Sequence, residues 1–202
     1  MSGIPVLGEI DGLDILIGGG GPLASRRAAK LLDAGARVRV VAPHVTPQLD
    51  ALRAHPTLSI ERRAFTGDDI GAAHLVFAAT NDRAVNACVA RDARAACRLV
   101  IVGDAPEDGT ASMMATHRAG TVVIGVVAGG IPGAAARIRD AIGARFDQRY
   151  AKAVERLAAL RRTMIDRGDR EAWSATARVA LGDDFCEAVE QGTLDARMAA
   201  WR

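Results

Sequence analysis

Four consecutive glycines, Gly18 to Gly21, stand between the apolar run Asp14-Ile-Leu-Ile17 and a helical pattern that begins at Pro22. Registered as Gly19-x-Gly21-x-x-Ala24, they form a G-x-G-x-x-A fingerprint at a strand-to-helix turn. Gly19 permits the tight turn, Gly21 lets backbone approach a pyrophosphate, and Ala24 lets the helix pack closely on the strand. The helix N-terminus then presents N–H groups to the anion. The competing register, Gly18-x-Gly20-x-x-Leu23, puts a bulky leucine at the close-packing position and is rejected. The predicted chemistry is dinucleotide binding, with Gly19, Gly20, Gly21, Pro22, Leu23 and Ala24 as the cradle. An acid that clamps the ribose of NAD would lie about 20 residues on, yet the second strand ends Val41-Ala42-Pro43-His44. The residues alone therefore leave NAD against NADP open.

A second candidate is Asp104. It follows the apolar run Leu99 to Gly103 and so falls at the carboxyl edge of a sheet, where ligands of open α/β folds bind. Its turn-rich context, Asp104-Ala-Pro-Glu-Asp-Gly109, offers the plainer role of a turn cap. Other chemistries lack their parts. His44, His55, His74 and His117 stand far apart without metal-ligand spacing, so no metal site is expected. Short-chain dehydrogenases need Tyr-x-x-x-Lys, but Tyr150 is followed four residues later by Val154. Cys88, Cys97 and Cys186 are odd in number and form no C-x-x-C, which argues against a disulfide framework and a zinc knuckle and for a reducing cytoplasm.

These residues need a frame of strands and helices. Asp14 to Ile17 reads as a buried strand, and Leu23, Ala24, Ala28, Leu31, Leu32 and Ala34 recur at near-helical spacing. Pro22 suits the first helical turn, Gly35 closes the helix, and Ala36 to Val41 forms the next strand. Leu58 to Phe65 alternates like a strand. His74 to Thr80 is a fully apolar strand that ends at a helix cap, Asn81-Asp82. A helix from Asp82 to Ala96 then carries Val85, Cys88 and Val89 on one face, and Leu99 to Gly103 and Thr121 to Val127 complete the series. The alternation predicts an α/β fold: a Rossmann-like doubly wound parallel sheet followed by a helical C-terminal region of about two to four helices, broken near Gly182-Asp183-Asp184 and Gly192. The expected division is 1–112 for the nucleotide-binding domain, 113–145 for a sixth strand and connecting, dimerising segment, and 146–202 for a helical domain.

Bulk properties narrow the function classes. Half of the 202 residues are apolar, enough for a sizeable core. The 26 basic and 24 acidic residues are interspersed with no basic block, which argues against nucleic acid as a partner. Met1-Ser-Gly-Ile-Pro-Val-Leu7 does not read as a secretory signal, and the longest uncharged run, Thr121 to Ala136, is short for a membrane span and broken by Gly129, Gly130, Pro132 and Gly133. A soluble protein is expected.

The order of several segments resembles the precorrin-2 dehydrogenase family, the N-terminal module of siroheme synthases, which also occurs as a stand-alone protein. The resemblance runs through Pro5-Val-Leu7, Asp11-Gly-Leu-Asp-Ile-Leu-Ile17, Gly19-Gly-Gly21, Arg26-Arg-Ala28, Leu31-Leu-Asp-Ala-Gly-Ala36 and Val40-Val-Ala-Pro43. It continues in Phe77-Ala-Ala-Thr-Asn-Asp82 with Val85-Asn86, in Val102-Gly-Asp-Ala-Pro106, and in Val122 to Gly130 with Ala134 to Ile138. It implies NAD-linked oxidation of precorrin-2 to sirohydrochlorin, with Asp104 as the acid-base group, in a homodimer. It adds Ala42, Pro43, Thr80 and Asn81 to the cofactor site and places substrate at Gly129 and Gly130, with His117 and Arg137 as further candidates. Precorrin-2 carries eight carboxylates, so cations should line its cleft, and Arg137, Arg139, Arg145, Arg149 and Lys152 are at hand on the helical part. The opposite apolar stripe, Ile138, Ile142, Phe146 and Tyr150, would pack within the subunit or between subunits.

This sequence departs from the family at three places. Ile101 stands where an asparagine is usual, three residues before the aspartate. Val127 to Gly133 lacks the hydroxyl side chains that usually flank the Gly-Gly turn, and Ala111-Ser-Met-Met114 replaces an aromatic-and-proline stretch. Two matters stay open: whether iron is also inserted, as some members do, and whether the chain is instead a non-catalytic dinucleotide- or tetrapyrrole-binding protein of the same fold.

Overall fold

The computed structural model describes residues 3–199, and the chain divides after Met113 into two compact units. In the first, the strands are β1 (Asp14–Gly18), β2 (Arg37–Val41), β3 (Leu58–Glu61), β4 (Leu75–Ala78) and β5 (Leu99–Val102). All pair in parallel, in the order β3-β2-β1-β4-β5. Helices α1 (Pro22–Asp33), the single turn α2 (Pro47–Asp50) and α3 (Arg83–Ala95) connect them. Successive strand residues point to opposite faces. Ile15, Ile17, Val38, Val40 and Phe77 therefore pack with Ala24, Ala28, Leu31 and Leu32 of α1, while Leu16, Val76, Ala78, Val100 and Val102 pack with Val89, Ala90 and Ala93 of α3. Coverage of both faces explains why β1, β4 and β5 read as nearly continuous apolar runs. The fold class expected from the sequence is the one observed.

Strand order reverses between β1 and β4, the switch point at which crevices open beyond the carboxyl ends of the strands. Gly18 and Ala78 are register partners there, as are Ala78 and Val102. Asp82 caps α3 as expected, accepting from the Ala84 and Val85 N–H groups at 2.8 and 3.2 Å. The buried face of α3 differs from the expected one: it is Asn86, Val89, Ala90 and Ala93, a strict i, i+3, i+4, i+7 stripe, with Val85 and Cys88 only partly covered.

The second unit holds β6 (Ala115–Ala119) and β7 (Val122–Val126), then α4 (Pro132–Arg145), α5 (Gln148–Asp166), α6 (Arg170–Ala180), α7 (Phe185–Glu190) and α8 (Leu194–Ala199). The segment Thr121 to Val127 is thus not a sixth parallel strand. It pairs antiparallel with β6 in a separate ribbon. Only Gly120, at φ +54, and Thr121 separate the two strands, and a two-residue link permits a hairpin, whereas a parallel partner needs a crossover of about a dozen residues or more. Strand β6 escaped notice because Ala115-Thr-His-Arg-Ala119 contains no apolar run. Among the described residues five helices follow Pro132, more than expected. One extra break falls at Phe146-Asp147, where the Asp147 carboxylate caps α5 through the Arg149 N–H at 2.9 Å. That break splits the expected stripe: Tyr150 is buried with Leu157, Ala180, Ala188 and Val189, while Ile138 is 46% exposed.

At the β3 side of the sheet, Asp69 is the buried charge that ties strands to loop. It lies in the 3-10 turn Gly67–Ile70, and its carboxylate is 4% exposed. It accepts from Arg63, from Arg39 of β2 at 3.1 Å and from the Thr66 N–H at 2.8 Å. The Arg63 guanidinium, helped by the Thr66 N–H and Arg39, outweighs the effect of burial and holds this carboxyl well below the usual carboxylate range. A depressed folded-state pKa contributes stability that is present above the unfolded value, about 4, and is lost as pH falls. Asp69→Asn should therefore cost about 2 kcal/mol at neutral pH and flatten the loss of stability below pH about 4. Urea unfolding across that range checks both; an unchanged acid slope would contradict the assignment.

Candidate functional site

Each glycine of the first turn meets a different demand. Gly19 sits at φ +128, and a Cβ there would lie 2.4 Å from the Ala79 carbonyl oxygen. A Cβ on Gly20 would lie 2.1 Å from the His44 carbonyl oxygen, and the Thr46 N–H donates to the Gly20 carbonyl at 2.9 Å. These two residues press the turn against the exits of β4 and β2. At Gly21 a Cβ would meet nothing within 4 Å. That residue is the N-cap of α1 and makes no side-chain cap, so the Leu23 and Ala24 N–H groups of the first turn have no intrahelical partner, at the positive end of the helix dipole. Ala24 is fully buried against the sheet, and Ser25 ties the turn down, its Oγ 3.2 Å from the Gly21 carbonyl and 2.6 Å from Thr46 Oγ1. The arrangement is an anion cradle of bare backbone.

The exits of β4 and β5 lie beside it. Gly103 donates to the Ala78 carbonyl at 2.9 Å, and Leu23 packs where a Cβ on Gly103 would stand. Between them lies Asn86, 1% exposed. Its Oδ1 accepts from the Thr80 N–H at 3.0 Å and from Thr80 Oγ1 at 2.7 Å; its Nδ2 donates to the Thr80 carbonyl at 3.1 Å and to Asp104 Oδ1 at 2.8 Å. The Thr80 N–H can only donate, which fixes the amide's orientation. Asp104 itself is exposed at the crevice, and sequence reasoning noticed Asn86 only as part of a motif. The signal was present: a polar residue in the i, i+3, i+4, i+7 core stripe of a helix needs buried partners.

The structure brings Gly19 to Ala24, Ala42, Pro43, Thr80, Asn81 and Asp104 to one edge of the first unit's sheet. Ala42 is buried, its N–H bonded to Glu61 O at 3.1 Å, while Pro43 and Asn81 are exposed. Gly129, Gly130, Arg137 and His117 belong to the second unit. Gly129 and Gly130, at φ +53 and +79, form the open turn before α4. Arg137 is exposed on α4, with no ion-pair partner among the described residues. His117 lies toward the other end of α4, its ring against Gly143 and its Nε2 2.7 Å from the Phe146 carbonyl.

A hollow of about 410 Å³ opens at the amino edge of the same sheet, lined by Asp14, Arg37, Arg39, Thr57 and Ser59. Its charges are paired, Arg37 with Asp14 at 2.7 Å and Arg39 with Asp69, outside the lining, at 3.1 Å. The carboxyl edge, by contrast, offers helix N–H groups and a carboxylate oxygen without partners among the described residues. Among the described residues no three His, Cys, Asp or Glu side chains converge as a metal site, and no helix is long and apolar enough to cross a membrane.

Comparison with known proteins bears on the first unit as a whole. The profile of a family described as putative NAD(P)-binding matches residues 6–115. The siroheme synthase of Pseudomonas putida (strain W619) is 39% identical over 130 residues, which are 64% of this chain and 28% of that protein. The siroheme synthase of Pseudomonas fluorescens (strain Pf0-1) is 40% identical over 106 residues, 52% of this chain and 23% of that protein. This chain thus spans under a third of the length of these curated relatives. A solved structure titled SirC, precorrin-2 dehydrogenase, superposes with a TM-score of 0.78 at 23% identity, covering 98% of both chains, and shares the fold. These proteins carry the names of the group that the sequence motifs resemble. Because the matched profile takes in more than half of the residues and every member of the carboxyl-edge site, the chain belongs to the putative NAD(P)-binding family.

Proposed function

We propose that this chain is an NAD-dependent precorrin-2 dehydrogenase, producing sirohydrochlorin for siroheme synthesis. The observation that carries the proposal is the placement of Asp104: its carboxylate stands at the β5 exit, on the same sheet edge as the α1 cradle, and is tethered through Asn86 to Thr80 at the switch point. The names of the relatives and of the structural neighbour supply the substrate class.

The residues present fit a dinucleotide. Open space at Gly21 leaves room for a pyrophosphate against the Leu23 and Ala24 N–H groups, and the β2 exit at Ala42 and Pro43 would receive the adenosine ribose. No acid there repels a 2′-phosphate, so the preference for NAD over NADP is modest. Thr80 and Asn81 would flank the reacting end, and a nicotinamide dinucleotide held there would supply the hydride acceptor for the oxidation. Asp104 takes the accompanying proton, with Oδ2 free while Oδ1 is held. Gly129, Gly130, Arg137 and His117 are proposed for the substrate, Arg137, without an ion-pair partner among the described residues, as a cation for its carboxylates. A homodimer and a cytoplasmic location complete the proposal; the free thiols of Cys88, Cys97 and Cys186 accord with a reducing compartment.

Purified protein mixed with precorrin-2 and NAD should yield NADH together with the sirohydrochlorin spectrum, and ferrous ion added to the same mixture reports whether siroheme follows. NAD binding without turnover would replace the enzyme with a binding protein. Asp104→Asn should lower kcat by about 10²-fold or more, the usual range for a positioned general base, with little change in NAD affinity. Near-normal turnover with a lowered melting temperature would make Asp104 a turn cap.

The glycines separate stability from binding. Gly20→Ala should destabilise the protein, because its Cβ collides with backbone at 2.1 Å. Gly21→Asp should leave the melting temperature nearly unchanged and abolish NADH binding, because charge and bulk enter the anion cradle. NADH fluorescence titration with thermal melts reads both; unchanged affinity in Gly21→Asp would contradict the cradle.

A further inference from the structure

We propose that Asn86 is the positioning residue of the acid-base group: its buried carboxamide holds Asp104 by one oxygen and references it to Thr80 at the β4 exit. This inference rests on the function proposed above. Asn86 touches no part of the crevice itself, being 1% exposed, so it acts through the side chain it holds.

The geometry makes the amide a rigid coupling. Four hydrogen bonds of 2.7 to 3.1 Å surround it, three to Thr80 and one to Asp104. Because the Thr80 N–H dictates which way the amide points, the NH₂ group is aimed at Asp104 Oδ1, and Oδ2 stays free. Asp104 follows β5 in an exposed bend and, apart from Asn86, the described residues give its carboxylate no hydrogen-bond partner. A general base must sit within hydrogen-bond reach of the proton it abstracts, and without this tether an exposed aspartate would sample several rotamers. Thr80 is itself locked, its Oγ1 accepting from the Asp82 N–H at 3.1 Å and its carbonyl from Asn86, so the reference point belongs to the start of α3. Leucine or alanine at position 86 would complete the apolar stripe of α3 more cheaply; the amide is accounted for by what it holds.

The test exploits polarity. Asn86→Asp keeps an oxygen for the Thr80 N–H but sets an acceptor against both the Thr80 carbonyl and Asp104 Oδ1, and two adjacent carboxylates cannot both ionise freely. In the N86D/D104N double variant the donor and acceptor exchange sides and the hydrogen bond between positions 86 and 104 returns, while the one to the Thr80 carbonyl stays lost. Asn86→Asp should lower the melting temperature and the double variant should recover part of it; no recovery would overturn the direct contact. In turnover, Asn86→Asp should lower kcat about tenfold with the NAD KM within about twofold, whereas in the Asp104→Asn background the same change should move kcat by less than about twofold. Equal factors in the two backgrounds would make Asn86 an ordinary core residue and overturn the positioning role while leaving the proposed function standing. A wild type that binds NAD but never oxidises precorrin-2 overturns both. Asn86→Ala, measured in the same two backgrounds, serves if Asn86→Asp does not fold.

Discussion

A carboxamide sealed from water must find partners for both its oxygen and its NH₂ group, since each unmet bond costs about 1–3 kcal/mol. Asn86 finds them at the exits of two neighbouring strands, and that requirement knits β4, α3 and the segment after β5 into one piece. Parallel strands supply the exits side by side, and the cap of α3 by Asp82 fixes where the amide enters. The apolar stripe below Asn86, Val89, Ala90 and Ala93, then anchors it to the sheet.

The neighbouring cradle is built by the opposite device, the removal of side chains. Gly19 and Gly20 lack a Cβ because backbone occupies the space, and Gly21 lacks one where space is left open. Position thus distinguishes glycines that hold the fold from the one proposed to serve a ligand. The same reasoning separates the two edges of the sheet. At the amino edge cations and carboxylates satisfy one another, while at the carboxyl edge a helix N-terminus and Asp104 keep bonding capacity for something else.

The sheet and the cradle were legible because period and punctuation agreed: apolar runs, Pro22 at a helix start, Gly35 at its end, and Asp82 as a cap. Asp104 was legible from its place after an apolar strand. Two features were not. Strand β6 carries the polar pattern Thr116-His-Arg118, and its pairing with β7 is dictated by a two-residue turn instead of by hydrophobicity. The break at Phe146-Asp147 hid inside an alanine- and arginine-rich stretch whose helical period continues across it; only the Asp147 cap reveals the new helix. Asn86 lay between these cases: the face expected from the sequence, Val85, Cys88 and Val89, missed it, although its spacing with Val89, Ala90 and Ala93 carried the signal. Its partners come from residues 80 and 104, which only the fold brings together.

A crystal structure of the protein with NAD bears most directly on this site. The pyrophosphate should lie within hydrogen-bond distance of the Leu23 and Ala24 N–H groups, beside Gly21, with the adenosine at Ala42 and Pro43 and the nicotinamide ring on the side of Thr80 and Asp104. NAD bound elsewhere, as in the amino-edge hollow between Asp14 and Ser59, or a nicotinamide turned away from Asp104, would contradict the assignment.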